Sequence, residues 1–511
     1  MAHDTDASAS RLLRRCAPRN DSPFFSSPRF WETTAAAGRL VALAARSLLG
    51  ACSLWPGYKK PAVDLPVSWK VEAPWRESTP KDTAPKGPWW QRFGDPQLDA
   101  LIGKSLSDSP NLAAANARLA QSRALVASAT SSLFPSVSLS TRVASERISA
   151  NRPLTNYRSP NFSTIQDNFV VQLGVTYEAD LFGRVARTLE GVRASAEQTA
   201  ADYENTRLLL TTDLATAYFN LRQIDIEIDV LNRSIELQRR SLGFVSNRRE
   251  LGAASGLDVA QAQALIDNTL TQVDILKRQR SQFENAIATL TGTPAPLFSL
   301  AADAKRAPPP EIPIGVPSDI LERRPDVASA ERAMAAANAQ IGIAKAAFYP
   351  SFVIGPSIGY QSTSLATLFD APSAIWSLGV SLLQPLFTAG RLQANVDFAK
   401  AGYDFTVANY RRVVLTAMQE VEDGILGGAA LDRAYTQAQV AIDSSSRVLD
   451  LATTRYEGGV ATYLDVITAQ QSLLNAERQA SQLHGQRLLI AVFLVKALGG
   501  DWQGMTTVGS R

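Results

Sequence analysis

Histidine and cysteine are nearly missing from this sequence: His3 and His484 are its only histidines, and Cys16 and Cys52 its only cysteines, in 511 residues. So sparse a set argues against most metal sites, and nothing in the spacing assembles a catalytic constellation. A phosphate loop is missing too, because Gly103-Lys104-Ser105 would need an earlier glycine where Leu98 stands. After Arg46 no apolar run approaches the roughly 18 residues of a spanning helix, so any membrane crossing would have to be made by strands. Charge of one sign is absent beyond the leader: residues 1–51 carry seven Arg and four acids, which leaves 44 basic against 44 acidic residues. Such balance argues against nucleic acid as a partner. The many Asp and Glu of the later chain read as solvated helix faces, since no shared cleft marks a catalytic pair. The reading is of a protein that is not an enzyme and uses no cofactor.

The N-terminal segment has a recognisable ending. From Gly38 to Cys52 it is short, apolar and closed by Leu49-Gly50-Ala51-Cys52. That resembles a bacterial lipoprotein signal, with small residues before a cysteine that takes the lipid. Cleavage there would leave Cys52 as the one thiol, without a disulfide partner. Arg46 interrupts the apolar core and the leader is long, which would place the translation start inside the written Met1. The competing reading is an irregular tail with an incidental cysteine.

Proline is missing between Gly183 and Pro294 and again after Pro385, so nothing there forces a helix to break. Both stretches belong to a duplication. Residues 110–138 align with 325–353 without a gap, Pro110 with Pro325 and Pro135 with Pro350, each 215 residues apart. Farther on, Leu181-Phe182-Gly183-Arg184 answers Leu386-Phe387-Thr388-Ala389-Gly390-Arg391, and Leu257-Asp258-Val259 answers Leu464-Asp465-Val466 at an offset of 207, so small deletions are expected in between. Each half is expected to run helix, strand, loop, strand, long helix, turn, long helix.

In the strand regions Phe169, Val171, Leu173, Val175 and Tyr177 alternate with Gln172, Gly174, Thr176 and Glu178. The same period of two recurs at Val137, Leu139 and Val143, at Phe352, Ile354, Ile358 and Tyr360, and at Trp376, Leu378, Val380 and Leu382. One wet and one apolar face suit a barrel with lipid outside and water inside, although a β-sandwich face has the same pattern. Four strands cannot close a lipid-exposed barrel, so several copies would have to contribute. In the helices, Leu210, Leu214, Ala217, Leu221, Ile224, Ile228, Leu231 and Ile235 step by four and three without interruption. Seams of the same kind run from Val259 to Leu276, from Tyr435 to Tyr456 and from Val466 to Leu483. A sustained 3.5-residue period means helices wound about neighbours. Taken as one helix, Arg184 to Gly252 would reach roughly 100 Å.

Together with the Cys52 leader, Pro56-Gly57-Tyr58-Lys59-Lys60-Pro61, Trp89-Trp90-Gln91-Arg92-Phe93-Gly94-Asp95-Pro96, Glu322-Arg323-Arg324-Pro325-Asp326-Val327 and Phe348-Tyr349-Pro350-Ser351 resemble the TolC/NodT-like outer-membrane factors over essentially everything from Cys52 to about Trp502. The resemblance implies a mainly α fold with a transmembrane β-barrel portion, in which a duplicated strand pair and long coiled-coil hairpin build a trimeric α/β barrel tunnel. It implies a homotrimer in the cell outer membrane, lipid-anchored through Cys52, with a periplasmic tunnel that takes cargo from an inner-membrane pump through a periplasmic adaptor. The expected organisation is a leader at 1–51, a Pro-rich linker at 52–95, a first repeat at 96–294, an inter-repeat linker at 295–318, a second repeat at 319–502 and a tail at 503–511.

The hairpin tips would then form the adaptor-docking site and aperture, with Gly252, Gly256, Leu257 and Asp258 in the first and Gly458, Gly459, Thr462 and Asp465 in the second. The glycines release the backbone for reversal, and each acid opens a returning helix, where capping alone would explain it. In the family an acid matching Asp465 can join a ring that narrows the aperture. Some members carry a second acid one turn later, where this chain has Thr468. The alternative is a periplasmic coiled-coil adaptor or structural protein, which usually has one hairpin where this chain has two.

Overall fold

The computed structural model describes residues 87–149, 164–310 and 323–500. The leader, Cys52 and its linker as far as residue 86, residues 311–322 and the tail lie outside the described residues.

Two helices lead in, α1 (Pro96–Asp108) and α2 (Pro110–Ser131), each with proline in the first position, where a missing N–H costs nothing. Strands β1 (Ser136–Ile148) and β2 (Thr164–Ala179) follow, then α3 (Arg184–Glu250) and α4 (Gly256–Leu290). The second half comprises α5 (Pro325–Ala346), strand segments β3 (Ser351–Ile354), β4 (Ser357–Ser362), β5 (Ala374–Ser377) and β6 (Val380–Leu383), and helices α6 (Arg391–Glu457) and α7 (Tyr463–Ala497). The lengths match across the halves: 22 residues in α2 and α5, 67 in α3 and α6, 35 in α4 and α7. With no internal proline, each 67-residue helix runs on the order of 100 Å.

The strands form one antiparallel sheet in the order β1, β2, then β3 with β4, then β6 with β5. Within the described residues the outer edges of β1 and of β5 and β6 have no strand beside them, so one chain makes an open sheet and not a closed barrel. The second-half strands are each broken where continuous strands were expected. Pro356 has no N–H to give, and the ladder is carried past it by Gly355 N–H to Gly379 O at 3.0 Å.

Register also corrects the alignment of the halves. Val143 pairs with Phe169, and Ile358 with Trp376; Val143 to Ile358 is 215 residues and Phe169 to Trp376 is 207. The whole length difference therefore lies in the connection between the strands. Leu386-Phe387 stands two residues out of register with Leu181-Phe182.

The two faces differ as the alternation requires. Leu139, Leu173, Ile358 and Trp376 make one continuous row across the sheet, all on one face and all exposed in the single chain. On the other face Gln172 Nε2 donates to Ser357 Oγ at 2.6 Å, Ser357 and Ser377 share a hydrogen bond at 2.7 Å, and Gln361 donates to Asn168 at 3.0 Å.

Below the sheet α3 lies centrally. It packs on α2 and α5, then on α4 and α7, while α6 packs on α5 and α7. The α3 seam from Leu210 to Ile235 is buried apart from the partly covered Ile228. In α7 the seam is wider than expected: Leu474, Ser481 and His484 are buried, because α7 touches both α6 and α3. Close packing is built into the sequence at Gly485, where a Cβ would collide with Gln223 of α3.

Two of the motifs that carry the resemblance prove to be joints. Trp89 and Phe93 are buried, with the Phe93 ring 4.9 Å from that of Phe219 on α3. Arg324, also buried, donates to Asp326 and Glu420 at 2.6 Å and to the Ala497 carbonyl at 3.1 Å, tying the start of α5 to α6 and the end of α7. A third buried joint centres on Asp225 of α3, which accepts from Arg222 at 2.8 Å, Arg280 of α4 at 2.6 Å and the Asp303 N–H at 3.1 Å.

Candidate functional site

At the end of α3, Ala253 N–H bonds to Arg248 O at 2.8 Å and Gly252 N–H to Arg249 O at 2.9 Å. At the end of α6, Val460 N–H bonds to Arg455 O and Gly459 N–H to Tyr456 O, both at 3.0 Å. This paired closure places the residue after the helix in the left-handed region, and Gly252 and Gly459 both have φ 73°. Gly256 and Gly458 do not need that freedom: Gly458 has φ −74°, and Gly256 is simply the first residue of α4.

The returning helices begin on their acids. Ser255 N–H donates to Asp258 at 2.9 Å and Asp258 N–H to Ser255 Oγ at 3.2 Å, a reciprocal box. In the second tip the Thr462 N–H and hydroxyl both donate to Asp465 Oδ2 at 2.9 Å. The Asp465 carboxyl is held below the usual carboxylate range by that N–H first and by the hydroxyl second, and it is fully exposed, so it stands ionised at the turn. Capping accounts for both acids. The Thr468 hydroxyl is turned back onto the Leu464 carbonyl at 2.8 Å.

The chain brings the two tips together. Arg248 of α3 donates to the Tyr456 carbonyl of α6 at 3.1 Å, with its guanidinium 5.0 Å from the Tyr456 ring centre. Beneath it Val245, Ala262, Tyr456, Tyr463 and Val466 form one buried cluster, where burial pushes the Tyr463 hydroxyl up to about 12. Leu251, Leu257, Val460 and Leu464 remain exposed around it, Leu251 by 83%. Sequence reasoning missed Arg248, which lies among other charged residues and looks like part of a solvated face. Tyr456 it took only as a seam position. Cys52, the lipidation candidate, lies outside the described residues. His484 is buried, and burial with the charges of Arg306 and Arg487 pulls its ring down to about 4, so at neutral pH it is an uncharged packing residue.

An amphipathic open sheet continued by paired 67-residue helices fits an outer-membrane channel protein, and the chain belongs to the outer membrane efflux protein family, which matches residues 101–293 and 316–500. It is similar to the toluene efflux pump outer membrane protein TtgF of Pseudomonas putida, with 32% identity over 476 residues, 91% of this chain and 98% of that protein. The pyoverdine export outer membrane protein OpmQ of Pseudomonas aeruginosa is 30% identical over 467 residues, 91% of this chain and 97% of the relative. The solved structure of the outer-membrane channel OprN matches with a TM-score of 0.79 at 27% identity, over 88% of this chain and all of that one. This chain is thus an efflux channel protein of the cell outer membrane.

Proposed function

We propose that this chain is the exit duct of a tripartite efflux system: a homotrimer that conducts cargo passively from an inner-membrane pump and periplasmic adaptor to the exterior. The observation that carries this reading is the open, two-faced sheet. Hydrocarbon does not tolerate its two unpaired edges, and copies joined edge to edge remove them while turning the apolar row outward to lipid. Three chains of four strands give an even-numbered barrel of twelve, and the family resemblance favours three over two. The two hairpins and two strand pairs weigh against an adaptor. Transport without catalysis is the activity proposed, with no cofactor beyond the lipid on Cys52.

Two predictions test the parts. Cys52→Ser should abolish labelling of the protein by fed radioactive fatty acid while leaving it inserted in the outer membrane, because strands and not the acyl chain do the spanning; label on the variant would refute the anchor. The tips are assigned to docking and opening. The purified trimer in a planar bilayer should conduct several-fold more after Arg248→Ala, which removes the hydrogen bond and ring contact that Arg248 makes from one tip to the other. Gly459→Val, forced into a backbone region that costs a side chain about 1–2 kcal/mol, should weaken adaptor binding with the trimer intact. Wild-type conductance and normal efflux in both variants would leave the tips without a role.

A further inference from the structure

At the end of the sheet farthest from the long helices, residues 363–373 join β4 to β5. The side of the sheet on which they lie is fixed by what they touch. Residues directly opposite in an antiparallel pair point to the same side, and sides alternate along each strand. Tyr360 stands opposite Val171 and Ala374, and Ser362 stands opposite Phe169. Both therefore share the apolar face with Leu173 and Ile358.

The connection folds back onto that face. The Phe369 ring meets the Tyr360 ring edge-on, with 5.5 Å between centres. The Thr367 and Ser362 hydroxyls share a hydrogen bond at 2.8 Å, and the Ser364 N–H donates to Ser362 Oγ at 3.2 Å. Ser373 Oγ donates to the Thr367 carbonyl at 2.7 Å, which closes the connection on itself. Leu368 is buried, while Leu365 and Phe369 are 66% and 67% exposed in the single chain. Asp370 is the only charged residue in the connection. Exposed apolar side chains taken singly are ordinary. Here they are joined, because Phe369 touches Tyr360, and Ile358 and Trp376 carry the same exposed apolar surface on down the sheet.

We infer that residues 363–373 form a collar on the outside of the barrel wall, with Leu365 and Phe369 set among the acyl chains of the outer leaflet, and not a lid over the channel mouth. This rests on the reading that the apolar face meets lipid, and it adds where the connection sits. Lipid fits this surface for two reasons. The surface continues the face that hydrocarbon would cover, and the hydroxyls nearest to it, on Ser362, Thr367 and Ser373, are bonded within the connection, as a medium without water requires. A lid would take its contacts from the other side of β4. There Gln361 is instead hydrogen-bonded along the wet face to Asn168.

Spin labels read the surroundings of each position. Phe369→Cys and Leu365→Cys, each carrying a nitroxide on the full-length protein in lipid vesicles, are compared with Leu173→Cys on the apolar face and Gln172→Cys on the wet face, with the unsubstituted protein as background. Oxygen concentrates in hydrocarbon and a nickel chelate stays in water. Labels at 365 and 369 should therefore relax several-fold more with oxygen than with the chelate, as at 173. Labels there that favour the chelate, as at 172, while 173 still favours oxygen, would overturn the collar and leave the channel reading standing. Labels there that neither reagent reaches would place the connection against another copy and overturn the collar as well. A label at 173 that favours the chelate would overturn the lipid-facing reading itself.

Discussion

Leu173→Arg should cost on the order of 2–4 kcal/mol per chain near the bilayer midplane, and Gln172→Arg, one residue away, should be tolerated. Leu173 sits in the middle of the row made with Leu139, Ile358 and Trp376, so an arginine there faces hydrocarbon with no partner in reach. Gln172 points the other way, hydrogen-bonded to Ser357 on the face lined by serine, glycine and amide groups. A longer cation on that side can extend into water. Refolding of the two variants into lipid vesicles under a urea series measures the difference directly. Equal midpoints for the two would mean that the apolar row does not meet lipid.

Asp225→Ala should be still more damaging, about 3–5 kcal/mol, the range for removing one partner of a buried ion pair. The carboxylate is buried and receives Arg222, Arg280 and the Asp303 N–H. Without it, two guanidinium groups keep their positions in the interior with fewer acceptors, and the segment around residue 303 loses its tie to α3. Arg280 would keep the Leu300 carbonyl at 2.6 Å, and Arg222 the Ala301 carbonyl at 2.8 Å, which offsets part of the loss. The thermal midpoint of the detergent-solubilised protein should fall by many degrees, and Asp225→Asn, which keeps an acceptor, should fall less. An unshifted midpoint for Asp225→Ala would show that the joint is not structural.

Much of this architecture could be read from spacing alone, because spacing is what packing selects. The period of two at Phe169 to Tyr177 and the 3.5 period from Leu210 to Ile235 come from one-sided burial, and each shows up wherever burial is one-sided. Where α7 touches two neighbours the pattern blurred, and Leu474 and His484 are buried beside the partly covered Leu473 and Leu483 of the expected seam. The breaks at Gly355-Pro356 and Leu378-Gly379 were legible as residues but not as structure, since a proline can begin a turn as readily as interrupt a strand. At the tips, glycines and acids stand out, and capping explains the acids. Arg248 did not stand out, because what it holds is a main-chain carbonyl, and a carbonyl leaves no mark on the sequence.

The equal lengths of the paired helices carry a consequence for how this chain can change over time. Since α3 matches α6 and α4 matches α7 residue for residue, both turns end flush. Removing a single heptad from α3 would shorten it by about 10 Å, misalign it with α4, and pull one turn out of level with the other. Tolerated length changes in the rods should therefore arrive as matched sets, seven residues in all four helices at once, while the connection between the strands, already eight residues different between the halves, is free to drift alone.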